Sequence, residues 1–367
     1  MVLRDKPILV VGSVPGQNAE EVFRLVAPEI GDMAVGITDG EPGYRAMWVV
    51  FNAPDVYEPH PDLEVLNKPN PDRDKTVFRD VPDWLPTSWE DMWHFKVRDG
   101  VEQIRFETIY YARFALDSYA DFCRLRDEGV IKPGVRFQVC LPFPEDFTRW
   151  CTRTNHDFEI MTEAITEVLG REIRTIVENI PNDDLSLQFD VCWEVFACAA
   201  DDYLGREPMP WKAEGDPFER FAGYMAQLAP LIPEGVPLGM HLCYGDLEHS
   251  HLIEPDDLGV SVKMANLAVK HAGRRFDYVQ MAVPRNRDDD AYFEPLKDLD
   301  IGDTRIYIGL VHYTDGVEGA MKRLQTFRRH YSGDYGIATE CGWGRRKPET
   351  IGQLIRLHRE IASGLPD

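Results

Sequence analysis

Three residues combine side-chain types and spacings that suit a metal ion. His241 and Cys243 lie two positions apart in the segment GMHLCYGD, at the end of an apolar run, and Cys341 ends a later apolar run. Residues i and i+2 of a strand point to the same face, so His241 and Cys243 can share one space with Cys341. One imidazole and two thiolates suit Zn²⁺, and three protein ligands with one open position are typical of catalytic zinc sites. The spacing is equally compatible with two buried core thiols and a hydrogen-bonded histidine.

Other reactive side chains follow other apolar runs, namely Ser13, Glu41, Asp190 and His312. Glu41 and Asp190 would place two carboxylates on one rim, where they would hold a cation or share a proton. Arg45 has the planar fork that binds a substrate carboxylate. Structural alternatives stay open: a turn residue at Glu41, a salt-bridge partner at Asp190 and a satisfied core histidine at His312.

Two further groups of residues receive no catalytic role from the sequence. His249, His251 and Glu254 follow the apolar run at 237–243. They are interpreted as the cap of the next helix, with a second metal site as the alternative. Cys192 and Cys198 are interpreted as packing thiols.

The elements that must position these residues are short apolar runs that alternate with amphipathic helices. Helical periodicity is clear at 19–30, 158–180, 218–232 and 317–331. Continuous apolar strands alternating with helices predict a parallel sheet, and eight repeats predict an α/β protein with a (β/α)8 TIM barrel, whose active site lies at the carboxyl ends of the strands. We expect one domain over residues 1–367. The predicted strands are 7–13, 32–40, 135–142, 185–190, 237–243, 276–284, 305–312 and 335–341.

A long insertion follows the second predicted strand, over residues 42–134. Residues 42–100 are rich in Pro, Trp and Asp, and a predicted helix at 104–129 leads to the third strand. Long loops in compact domains are usually functional or disordered, and the tryptophans Trp84, Trp89 and Trp93 argue against disorder. The segment is either packed on the barrel by its aromatic residues or a lid in which Trp89 and Trp93 contact substrate.

Charge and composition exclude several classes of partner. The 367 residues carry 40 basic and 63 acidic side chains, a net charge of −23. Such a surface repels nucleic acid and anionic lipid, so we expect neither partner. The amino terminus lacks the pattern of a signal peptide, and no apolar run is long enough to span a membrane. We therefore expect a cytoplasmic protein with seven reduced cysteines that acts on a small molecule. A homodimer is compatible with the sequence.

The motifs around these residues resemble those of cobalamin-independent methionine synthase. Six segments occur in that family's order over residues 10–346 and are similar to the catalytic, carboxyl-terminal barrel of that enzyme. They are VVGSVPG for I-G-S-x-P, TDGEPGYR for H-G-E-x-x-R, LQFDVCWE for Q-x-D-E-P, HLCYGD for H-x-C-Y, GLVHYTD for D-I-H-S and TECGWGRR for D-C-G-x-x-x-R.

The resemblance implies a zinc site with a substituted ligand. The family binds zinc through His, Cys, Glu and Cys, and His241, Cys243 and Cys341 match three of these. Ala282 stands at the position of the glutamate. The fourth position would then belong to water, to the amide oxygen of Gln280, or to an acceptor thiol.

The resemblance also implies roles for the remaining site residues. Ser13 and Glu41 match family residues that contact the amino acid acceptor, Asp190 matches the residue that holds its amine, and His312 matches a residue used in proton transfer.

The implied function is a zinc-dependent methyltransferase that moves a methyl group from a folate or another methylated small molecule to a thiol or related acceptor. A coenzyme M-like thiol as acceptor and an aromatic methyl ether as donor stay open, as does a metal-independent lyase or decarboxylase of the same superfamily. A small-molecule binding protein without turnover is the non-enzymatic alternative.

Overall fold

The strands of the core run parallel in one sheet. The computed structural model describes residues 3–70, 91–199, 213–245 and 251–365. The sheet has the strand order β1-β4-β5-β6-β7-β8-β9, and all of its pairings are parallel. Its strands are β1 (Ile37–Thr38), β4 (Phe137–Pro142), β5 (Leu185–Val191), β6 (Leu238–Leu242), β7 (Tyr278–Ala282), β8 (Arg305–Val311) and β9 (Tyr335–Thr339), while β2 (Leu63–Asn67) and β3 (His94–Val97) form a separate hairpin.

Helices follow most of the strands and cover the sheet. Those over 19–30, 158–180, 218–232 and 317–331 are confirmed with small shifts of their ends. The strands β4 to β8 are buried along their whole length, as expected for a parallel sheet with both faces covered. Among the described residues the α-helices are α1 (Ala19–Ile30), α2 (Tyr111–Asp127), α3 (Pro144–Thr148), α4 (Asn155–Asn179), α5 (Trp193–Ala199), α6 (Pro217–Leu228), α7 (Gly259–His271), α8 (Asp290–Phe293), α9 (Gly316–His330) and α10 (Ile351–Ser363).

In the part of the chain that the structure describes, the first predicted strand, 7–13, forms β-bridges at one residue. Ile8 forms single parallel bridges to Ala34 on one side and to Ile337 on the other. Beyond Ile8, the side-chain amide of Gln138 donates to the carbonyl of Val10 at 2.9 Å, and that of Gln188 donates to the carbonyl of Val11. Side chains inside the sheet thus replace part of the strand ladder.

The second predicted strand, 32–40, is shorter than expected. Only Ile37–Thr38 forms a strand, paired with β4. The backbone then turns, because Gly40 and Glu41 both adopt a left-handed conformation, with φ of 82° and 52°. The parallel sheet is confirmed, with seven strands among the described residues where the sequence predicts eight.

The insertion contains a hairpin that packs on the connection after β4. The β2–β3 hairpin is antiparallel, and the Phe95 N–H donates to the carbonyl of Cys151 at 2.9 Å. Tyr57 donates its hydroxyl to the carbonyl of Phe147 at 3.0 Å. Trp93 is 2% exposed and stacks on Phe95. This part of the insertion is therefore packed on the rest of the protein through its aromatic residues.

Two tryptophans of the insertion, Trp84 and Trp89, lie outside the described residues. Among the described helices, none combines the length and apolarity needed to cross a bilayer.

Candidate metal and substrate site

The three predicted metal ligands come together. His241 lies on β6, Cys243 follows that strand, and Cys341 follows β9. One ligand atom from each residue lies within 4.8 Å of the other two. The Sγ atoms of Cys243 and Cys341 are 3.6 Å apart. The sheet therefore curls enough to bring the ends of β6 and β9 together, although β7 and β8 lie between them in the strand order.

The imidazole of His241 is oriented by Gln280. His241 Nδ1 lies 2.5 Å from Gln280 Oε1, and because an amide oxygen only accepts, Nδ1 carries the proton. The amide nitrogen of Gln280 donates to the carbonyls of Thr339 and Glu340 at 2.9 and 3.2 Å, which fixes the identity of the two amide atoms. His241 Nε2 therefore presents a lone pair. It is buried and has no hydrogen-bond partner among the described residues.

These donors fit a zinc ion. A ligating histidine commonly donates its other ring N–H to a neighbouring acceptor, and Gln280 is such an acceptor here. The backbone N–H of Gly245 donates to Cys243 Sγ at 3.3 Å, an interaction that favours the thiolate form. An imidazole nitrogen and two thiols form a soft donor set that suits zinc better than magnesium or calcium.

Glu41 and Asp190 form an acidic pair whose ionisation is suppressed. Burial, and after it the charge of Asp190, raises the pKa of Glu41 to about 8. Burial raises the pKa of Asp190 to about 7, and the hydrogen bond from Gln188 Nε2, at 2.7 Å, opposes this rise. Without a cation, the pair therefore keeps at least one proton near neutral pH.

The predicted substrate ligand Arg45 is engaged inside the protein. Its guanidinium binds Asp39 Oδ2 at 2.6 Å and lies over the ring of Phe114. Asp39 also accepts from the hydroxyl of Ser118 at 2.7 Å and from the backbone N–H of Glu41 at 3.0 Å. Arg45 thus supports the turn that presents Glu41, and its predicted contact with a substrate carboxylate stays a prediction.

His312 belongs to a chain of contacts between histidines and carboxylates. Its Nε2 donates to the carbonyl of Val283 at 2.8 Å, and its Nδ1 lies 3.3 Å from Glu340 Oε2. Burial lowers the pKa of His312, although the charge of Glu340 opposes the fall. Glu340 also contacts His251 at 3.3 Å, and His251 contacts Glu254 at 2.9 Å. Burial would lower the pKa of His251, but these two carboxylates raise it to about 10.

Ser13 lies against the loop that follows Cys341. Its carbonyl accepts from the N–H of Trp343 at 2.6 Å, and its hydroxyl accepts from the N–H of Gly344 at 3.3 Å. A Cβ at Gly342 would lie only 2.5 Å from Ser13 Oγ, so this close approach requires glycine. Ser13 is thus close in space to Cys341, as the sequence predicts for one rim.

Several residues of the site carry interactions that sequence reasoning misses. The sequence predicts the amide oxygen of Gln280 as one of three possible metal ligands, whereas in the structure this oxygen accepts a hydrogen bond from His241. Glu340 and His251 connect His312 to a second carboxylate, and Gln188 holds Asp190. The only sequence signals are positional, since Glu340 precedes Cys341 and Gln188 lies two positions before Asp190 on the same face of β5.

Comparisons with known proteins find similarity in fold. No protein-family model and no curated protein matches the sequence. A protein provisionally named a vitamin-B12-independent methionine synthase, from Listeria monocytogenes, matches with a TM-score of 0.54 at 12% identity, over 95% of this chain and 87% of the other. The chain has a methionine synthase-like fold. The B12-independent methionine synthase from Shewanella sp. W3-18-1, solved in complex with selenomethionine, matches with a TM-score of 0.55 at 12% identity, over 98% and 97% of the two chains. The predicted resemblance in fold is therefore confirmed.

Proposed function

We propose that the protein is a zinc-dependent methyltransferase that moves a methyl group from a folate or another methylated small molecule to a thiol or related acceptor. The observation that carries the proposal is the buried Nε2 of His241, which has no hydrogen-bond partner in the described part of the chain. Gln280 orients this imidazole, and two thiols cluster with it within 4.8 Å. The likeness in fold to proteins named as B12-independent methionine synthases supports the same class of reaction.

His241, Cys243 and Cys341 are the residues that would hold the ion. When bound, zinc would supply the positive charge that stabilises an acceptor thiolate, whereas a free thiol of pKa about 8.5 is only a few per cent ionised near neutral pH. Gln280 keeps the imidazole of His241 in the tautomer that leaves Nε2 available. The Gly245 N–H stabilises negative charge on Cys243.

The acidic pair is suited to a cationic group of the acceptor. A substrate ammonium group between Glu41 and Asp190 would relieve their repulsion and release the proton that they hold in its absence. Ser13 adds a hydroxyl near the loop of Cys341. We assign Glu41, Asp190 and Ser13 to substrate binding on these grounds.

His312 is suited to hold a proton. Its Nε2–H is fixed by a backbone carbonyl, so protonation changes occur at Nδ1, which faces Glu340. Burial favours the neutral ring and lowers the pKa of His312, and the charge of Glu340 opposes this effect. We assign His312 to proton transfer during the methyl transfer.

We further propose that residues 1–367 form one complete (β/α)8 barrel with the insertion at 42–134 beside its mouth. The two bridges at Ile8, to the segment before β1 and to β9, support closure of the sheet by the first segment. The contacts of Trp89 and Trp93 with substrate stay predictions, with Trp89 outside the described residues and Trp93 buried against Phe95.

Metal analysis tests the proposal. We expect purified protein to hold about one zinc ion per chain, and the Co²⁺-substituted protein to change its visible spectrum when a small thiol such as homocysteine or coenzyme M is added. Cys243→Ser should lose most of the metal, while Cys198→Ser, a cysteine of α5 outside the cluster, should retain it. A metal-free wild type whose activity survives Cys243→Ser would refute the proposal and favour a metal-independent lyase or decarboxylase.

A further inference from the structure

A third cysteine lies beside the two cysteines of the metal cluster. β5 and β6 are parallel neighbours, with Val191 opposite Leu242. The pairing continues beyond that register pair, because the N–H of Cys243 donates to the carbonyl of Val191 at 2.9 Å. The next residue of the β5 chain is Cys192, which is therefore the lateral neighbour of Cys243.

The side chain of Cys192 faces the cluster. Cys192 and Cys243 each lie two positions after the register pair Asp190 and His241, so all four side chains leave the sheet on the same face. Cys192 is 6% exposed, and its thiol is a neighbour of the Cys243 thiol. Since Cys243 Sγ is 3.6 Å from Cys341 Sγ, the three thiols form one continuous row.

The backbone at Cys192 is held by a buried carboxylate. Asp146, in α3, accepts from the N–H of Cys192 at 3.2 Å and from the N–H of Trp193 at 2.7 Å. The same carboxylate accepts from the N–H of Phe143 at 3.2 Å. These hydrogen bonds fix the backbone between β5 and α5. The thiol of Cys192 lies outside the group of three ligand atoms within 4.8 Å of one another, so it would turn toward a metal on binding.

The other lateral neighbour of Cys243 has no ligand atom. β7 lies on the far side of β6, with Leu242 opposite Met281, so the residue after Met281 continues the row beside Cys243. That residue is Ala282, which is fully buried. Of the two side chains that flank Cys243 across the sheet, only Cys192 can coordinate a metal.

We propose that Cys192 is the fourth protein ligand, so that the metal is held by His241, Cys192, Cys243 and Cys341. This inference rests on the proposed zinc site and specifies its composition. An acceptor thiol would then replace one of these four ligands or enter as a fifth. A neutral imidazole, three thiolates and Zn²⁺ give a net charge of about −1, which is also the charge of a site with two thiolates and one carboxylate. The thiolate of Cys192 thus restores the negative charge that Ala282 cannot supply.

X-ray absorption at the zinc edge tests the number of sulfur ligands. For the zinc-loaded wild type we expect three sulfur atoms at about 2.3 Å and one nitrogen at about 2.0–2.1 Å. Cys192→Ser should retain two sulfur atoms, and its Co²⁺ form should lose about one third of the thiolate-to-metal absorbance, because one of three thiolates is gone. Cys198→Ser is the matched control and should keep three sulfur ligands.

The outcomes separate this inference from the proposal on which it rests. A wild-type spectrum with two sulfur atoms would overturn the role of Cys192 and leave the three-ligand zinc site standing. A wild type that binds no zinc would overturn both. The wild-type spectrum by itself gives the number of sulfur ligands, so the test remains valid even if Cys192→Ser does not fold.

Discussion

Replacing Glu41 with glutamine should make the protein more stable at alkaline pH. The carboxyl of Glu41 lies near Asp190, Asp39 and the guanidinium of Arg45, and burial is the main cause that raises its pKa from 4.5 to about 8. Glutamine has nearly the same shape as the protonated side chain and never ionises. The Glu41→Gln variant therefore removes the ionisation and keeps the packing.

The size and sign of the effect follow from proton linkage. Between pH 4.5 and about 8, Glu41 keeps its proton in the native state and loses it in the unfolded chain. The native state then binds more protons than the unfolded state, so the stability of the wild type falls as the pH rises through this window. At about 1.4 kcal/mol for each pH unit, the full loss is about 5 kcal/mol. The variant lacks this loss.

Urea unfolding of the metal-free protein, in chelator and reductant, measures the difference between pH 4 and 9. The free energy of unfolding of Glu41→Gln minus that of the wild type should rise by up to about 5 kcal/mol across this range. Glu64→Gln, at an exposed position of β2, controls for the loss of one carboxylate. A difference that stays constant with pH would refute the raised pKa of Glu41.

Two further predictions address the closure of the sheet and the orientation of the metal ligand. Gly336→Ala would place a Cβ 2.4 Å from the ring of Tyr307 on β8 and 2.7 Å from the backbone carbonyl of Pro7 in the amino-terminal segment. Thermal unfolding should therefore detect a loss of about 1–3 kcal/mol, whereas Gly223→Ala in α6, where the space is open, should be neutral or stabilising. Equal melting temperatures would contradict the docking of that segment on β9. Gln280→Leu removes the acceptor of the His241 N–H and should weaken zinc binding about 10- to 100-fold in a chelator competition, and an unchanged affinity would contradict its orienting role.

The sequence predicts the strands best where packing is simplest. The runs at 135–142, 185–190 and 305–312 become β4, β5 and β8 almost residue for residue, because a strand buried on both faces reads as a continuous apolar segment. The run at 7–13 does not form a regular strand, because two of its backbone carbonyls accept hydrogen bonds from the side chains of Gln138 and Gln188, which are distant in sequence. The second run is cut short by the left-handed backbone at Gly40 and Glu41.

The residues of the site likewise divide into those that the sequence predicts and those that it does not. His241 and Cys243 are predictable because their spacing of two sets a common strand face, and Cys341 because it ends its own run. The partners of these residues are set by contacts between different strands. Gln280 pairs with His241 across β6 and β7, and Glu340 reaches His312 from the end of β9. Neither contact follows a sequence period.

A comparison of motifs examines one strand at a time. It therefore detects the loss of a metal ligand at Ala282 but not the gain of a possible ligand at Cys192. In the sheet these two residues flank Cys243, one after β5 and the other on β7. A ligand supplied from either side reaches the same space, because parallel neighbours in register present their side chains together. Exchange of a carboxylate on one side for a thiolate on the other conserves the charge around the metal while changing which strand supplies it. The composition of such a site is therefore a property of a row across the sheet, and the sulfur count at the zinc decides whether this row is complete.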